Sequence, residues 1–111
     1  MKLVNLKELP QDSVSHNPRI KKQVILKYHE IGNISTLAQS AYPPGEKVEE
    51  HVHKDLIEIF IVQSGSGVIT IEGSHYDLMT GITVVVEAGE RHALENTGLD
   101  QLVLQYFGIS L

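Results

Sequence analysis

Short runs rich in β-branched and other apolar residues dominate this chain, broken by glycine, proline or asparagine turns roughly every eight to twelve positions. No stretch sustains the apolar periodicity of a helix, so the pattern points to an all-β sandwich or barrel. The predicted strands are Gln23–His29, Ile34–Tyr42, Lys47–His53, Leu56–Val62, Val68–Ile71, His75–Leu78, Ile82–Val86, Ala93–Asn96 and Gln101–Phe107. Pro43-Pro44-Gly45 and Ser64-Gly65-Ser66-Gly67 end two of them, and Glu72-Gly73-Ser74 reads as a tight hairpin turn. Residues 1–20 carry the weakest pattern. They are expected to form an N-terminal arm, with a helical turn or strand near Leu3–Leu9 and a loop at Ser15-His16-Asn17-Pro18.

The length of 111 residues fits one domain with a real core. Cysteine is absent, which excludes disulfides, thiolate metal sites and thiol nucleophiles. A net charge of -5 argues against a nucleic-acid surface, and the short basic cluster Arg19, Lys21, Lys22 reads as a solvated strand edge. Met1–Pro10 lacks the apolar run of a signal peptide, and no stretch reaches the roughly 20 apolar residues needed to span a bilayer. The expectation is a cytoplasmic protein without a membrane partner. No phosphate loop, nucleophile elbow or Ser-His-Asp arrangement is present.

The chemistry-bearing residues are His51, His53, Glu58 and His92. On a strand, His51 and His53 at i and i+2 point to one face. The chain reverses at Lys54-Asp55, which sets Glu58 opposite that pair; Glu58 stands among Ile57, Ile59, Phe60 and Ile61, where an unpartnered carboxylate is costly. Gly89 lets the backbone bend so that His92 turns inward. Three imidazole nitrogens and one carboxylate oxygen suit a borderline divalent ion, and four ligands on a six-coordinate ion leave two positions open.

The spacing around these residues closely resembles the two sequence motifs of the cupin superfamily. The first block runs Gly45, His51, His53, Glu58, Gly65, and the second runs Gly81, Glu87, Gly89, His92, Asn96. Every defined position matches except Glu87, where the family usually has proline, and 15 residues separate the blocks. The resemblance implies a double-stranded β-helix (jelly-roll) barrel over residues 21–111 around one divalent metal ion, iron, manganese, nickel or zinc. His51, His53, Glu58 and His92 would be its ligands. Asn96 would be structural. Dioxygenase- or isomerase-like chemistry on a small molecule is implied; the alternative is a non-catalytic metal-dependent module that binds a sugar or small acid.

Outside the motifs, His16, His29 and His75 are expected at the surface or in turns. Arg91 reads as a solvated arginine, with an anion-binding role as the alternative. Gln39, Tyr42, Gln105 and Tyr106 lie on strands bordering a cavity, and alternation allows about half of such residues to face it. A homodimer is expected, with Val24, Ile25, Leu26, Ile109 and Leu111 contributing to the covered face.

Overall fold

The computed structural model describes every residue, Met1–Leu111. Its strands are β1 (Asp12–Val14), β2 (Asn17–Leu26), β3 (Ile34–Tyr42), β4 (Lys47–His51), β5 (Leu56–Ser64), β6 (Ser66–Ile71), β7 (Ser74–Met79), β8 (Thr83–Val86), β9 (His92–Glu95) and β10 (Leu102–Ser110). A single 3₁₀ turn, Leu6–Glu8, precedes them; the Asn5 side chain caps it by accepting from the Lys7 N–H. Two antiparallel sheets result, one ordered β1-β2-β3-β10-β5-β8 and the other β4-β9-β6-β7. The crossovers between sheets give the jelly-roll barrel that the resemblance implied.

Alternation along each strand decides what enters the barrel. Register aligns Lys22, Ser40, Leu104 and Val62 in one cross-strand row, and Val24, Ala38, Tyr106, Phe60 and Val84 in the next. Ala38, Ser40, Leu104, Phe60 and Val62 of these rows are buried, so these rows face the interior. Val48, Leu94 and Ile69 form the matching row of the second sheet. The core joins both sheets through Ile20, Phe60, Ile69, Leu78, Leu94, Leu102 and Leu104.

Two turns show how the sequence closes the barrel. Glu72 and Gly73 both have positive φ, +49° and +79°, which makes the β6–β7 connection a two-residue turn matched to strand twist. Gly65, at φ +85°, has the Gln101 carbonyl packed where a Cβ would stand. Only glycine satisfies both demands.

Most strand ends shift by one to three residues from expectation, and three larger or site-bearing differences stand out. β2 begins at Asn17, not Gln23, and pairs with β1, so residues 12–20 belong to the sheet and the 20/21 division falls within a strand. Ile20, fully buried, is the reason: it is a core residue flanked by exposed Arg19 and Lys21, which hide the apolar alternation. β4 ends at His51, so His53 lies in the loop beyond it, held by the Gly89 N–H, which donates to the His53 carbonyl at 2.7 Å. β10 runs on to Ser110 because it is the central strand between β3 and β5.

Candidate metal centre

His51, His53, Glu58 and His92 converge, with one donor atom from each lying within 4.8 Å of all the others. Each arrives from a different local device. His51 ends β4 and pairs across to His92, the first residue of β9. His53 hangs from the following loop, and Glu58 is an inward residue of β5 opposite Gly108. Glu58 Oε1 is the hub, 3.1 Å from His92 Nε2 and 3.2 Å from His53 Nε2. Donors in cis positions around an ion with ~2.1 Å bonds lie roughly 3.0 Å apart, so these separations suit a shared ion.

In two of the three imidazoles the second ring nitrogen is already committed. The Nδ1–H of His51 donates to the Glu49 carbonyl at 2.8 Å, and that of His92 to the Glu90 carbonyl at 3.0 Å. This fixes the tautomer that turns Nε2 toward the centre. His92 Nε2, so unprotonated, then faces a carboxylate oxygen, two acceptors in contact. Only a metal cation or an added proton between them makes that favourable. The residues fit a divalent metal ion on this ground.

Charge follows the same geometry. Burial of His92 opposes its protonated form, but the Glu58 hydrogen bond, the Glu90 carbonyl and the Glu58 charge outweigh it and raise its pKa. Burial lowers that of His51, helped by the neighbouring imidazoles. Burial, with Tyr106 and Glu58 nearby, pushes the Tyr42 phenol far up, and burial with Glu58 pushes Tyr106 up to about 12. Both phenols are therefore hydrogen-bond donors at neutral pH.

A cavity of about 180 Å³ opens onto the ligands. Its walls are Lys22, Ser40, Tyr42, Phe60 and Tyr106 from the larger sheet and Val48 and Leu94 from the smaller one, with Val14, Ser15 and His16 at the β1–β2 turn. Tyr42 and Tyr106 thus line it, whereas Gln39 and Gln105 face outward, joined to each other at 3.2 Å. Arg91 is outside, paired with Glu50 at 3.7 Å. His29 and His75 are exposed and bonded to Ser110 and Thr70. His16 is exposed in the β1–β2 turn, as expected, and it also lines the cavity, its ring stacked on His51 with centroids 5.7 Å apart. Lys22 departs from expectation, bordering the cavity. Neither had a usable sequence signal, because β1 is three residues long and its pairing with β2 was not legible.

Asn96 is buried at 1% exposure and structural: its amide donates to the Tyr42 and Asp100 carbonyls at 2.9 and 2.8 Å, and its oxygen accepts from the Gly98 N–H. Glu87, in place of proline, uses the N–H that proline lacks, donating to Glu90 Oε1 at 2.7 Å.

The cupin-domain family model matches residues 39–107, the stretch that carries all four converging residues. The chain belongs to the cupin family. It is 34% identical over 61 residues to the oxalate-binding protein of Thermotoga maritima, an alignment covering 55% of this chain and 50% of that one. The match thus spans about half the length of that curated relative. The crystal structure of a predicted oxalate decarboxylase of Thermotoga maritima superposes with a TM-score of 0.92 at 24% identity, covering 99% of this cupin and all of that chain. A sugar phosphate isomerase of the cupin superfamily from Silicibacter pomeroyi gives a TM-score of 0.85 at 15% identity, over 99% of this chain and 76% of that one. At such identities these structures speak to fold.

Proposed function

We propose that this cupin holds one divalent transition-metal ion on His51, His53, Glu58 and His92 and acts with it on a small oxygen-rich molecule. The observation that carries the reading is His92, whose two ring nitrogens both face oxygen acceptors, Glu90 O and Glu58 Oε1. The cavity volume of about 180 Å³ is below the ~300–1,000 Å³ of drug-sized sites, which favours a compact ligand. When bound, iron, manganese, nickel or zinc supplies Lewis acidity, and iron or manganese adds redox chemistry. The chain's own residues bind and orient: the Tyr42 and Tyr106 hydroxyls donate, and Val48, Phe60 and Leu94 keep the cavity wall apolar.

Dioxygenase- or isomerase-like turnover is the chemistry this arrangement suits. A non-catalytic binding module is the second reading, favoured by the relative whose name records oxalate binding. Oxygen uptake and substrate loss by iron- and manganese-loaded protein, measured over small enols, hydroxy acids and dicarboxylates, separate the two. Turnover supports the enzyme; saturable, metal-dependent binding without turnover supports the module.

The expected protein partner is a second copy of the chain. The outer face of the larger sheet aligns Leu37, Phe107, Ile59 and Val85 in one apolar row, all incompletely covered in the single chain. Leu26 and Ile109 adjoin this row through Leu37 and Ile57, while Val24 pairs with buried Ala38 and faces inward. Light scattering at twice the chain mass is the expected result; a single-chain mass contradicts it.

A further inference from the structure

One lysine borders the cavity and forms no ion pair with any protein group. Lys22 stands in the inward row of β2, beside Ser40 on β3, and borders the same space as His51, His53 and Glu58. Its neighbour Lys21 points outward and is spent on Ser13 Oγ and the Pro18 carbonyl, at 3.1 and 2.9 Å. Lys22 takes part in none of the protein's ion pairs. Asp12 is its cross-strand neighbour in register, yet no ion pair joins them. An inward lysine that has given up part of its hydration without a counter-ion is a site waiting for an anion.

Charge balance sets the class of that anion. Glu58 is the one acidic residue on the cavity wall. A divalent ion on the ligand set leaves one excess positive charge, and Lys22 adds another. A monoanion leaves the cavity positive, whereas a compact dianion neutralises it. The cavity volume of about 180 Å³ admits a short dicarboxylate, and Lys22 and the ligand set border the same space. Protonated Tyr42 and Tyr106, and Ser40 in the Lys22 row, add neutral donors suited to carboxylate oxygens.

We propose that Lys22 is the specificity-determining residue of this cavity, selecting a compact dicarboxylate of oxalate size over singly charged or neutral ligands of the same shape. The inference rests on the reading that a small molecule enters the metal-bearing cavity, and it names that molecule's charge class and the group that reads it.

Oxalate and oxamate test it, being nearly isosteric but differing by one charge. Calorimetric titration of manganese-loaded wild type, Lys22→Met and Lys22→Arg is paired with metal analysis of each sample. Methionine keeps the packing of the lysine stem without its charge, and arginine restores the charge. Wild type should bind oxalate more tightly than oxamate. K22M should keep full metal content and lose oxalate affinity by roughly 10- to 100-fold, while its oxamate affinity stays within about threefold, in line with loss of one charged hydrogen bond. K22R should recover most of the preference. Equal oxalate affinity in metal-loaded wild type and K22M overturns the role of Lys22 and leaves the metal-site reading standing. A manganese-loaded wild type that binds neither ligand overturns the role of Lys22 and the reading that such a molecule enters this cavity; a wild type that takes no metal overturns the metal site as well.

Discussion

Glu58 Oε1 lies 3.1 Å from His92 Nε2, and the other nitrogen of that ring lies 3.0 Å from the Glu90 carbonyl. The imidazole is thus clamped between two acceptors, which holds it in place for an ion and gives the pair an affinity for a proton when no metal is bound. Glu58→Gln keeps the shape and removes the charge. In the metal-free variant the Glu58 charge that helps raise the His92 pKa is gone while burial and Glu90 remain, so His92 should titrate at lower pH than in wild type. Metal affinity should fall by more than the ~10–100-fold typical of losing an outer-shell partner. Histidine NMR titration and competition with a chromophoric chelator read the two effects; an unchanged His92 pKa would break the link.

Protons and metal compete for the same nitrogens, so affinity should decline as pH falls. His92, whose pKa is raised, gives way first, and His51, whose pKa is lowered, keeps its lone pair to more acidic pH. In the metal-free protein the two oppose each other in stability. The His92 contribution is present below about pH 6.5 and is lost as pH rises through its raised folded value. The His51 contribution is present above about pH 6.5 and is lost as pH falls through its lowered one. Chelator competition between about pH 8 and 5.5 should therefore show affinity falling steeply, with His92 NMR shifts changing before those of His51. Constant affinity across that range contradicts the ligand assignment.

Tyr42 and Tyr106 should stay protonated until the barrel opens, because burial pushes Tyr106 up to about 12 and Tyr42 further still. An ultraviolet titration of the four tyrosines should show two ionising only together with loss of β-structure by circular dichroism. Ionisation of all four before unfolding would place the two phenols outside the cavity.

Asn96→Ala separates structural from ligand residues. It strands the Tyr42 and Asp100 carbonyls and the Gly98 N–H, and should cost about 2–4 kcal/mol in denaturant unfolding. Metal stoichiometry at full folding should not change. Loss of metal from the folded variant would make Asn96 part of the centre.

The motif residues were legible because their local devices are short: a strand end for His51, a turn for His92, an inward strand position for Glu58. Strand β3 could be bounded from its apolar alternation and the prolines after Tyr42. The first half of β2 could not, because Arg19 and Lys21 flank Ile20 and look like a solvated edge. That same disguise concealed Lys22, whose inward direction depends on register with Ser40 and not on its own neighbours. His16 reaches the cavity only through the β1–β2 turn, a placement that no local periodicity encodes.

The most direct test is metal content of purified protein by mass spectrometry, for wild type and for His51→Ala combined with His53→Ala. Wild type should carry or accept one equivalent of a divalent transition metal per chain. The double variant should retain its β-sheet spectrum and hold under about a tenth of that metal. A wild type that cannot be loaded, or a double variant that binds metal equally well, contradicts the account.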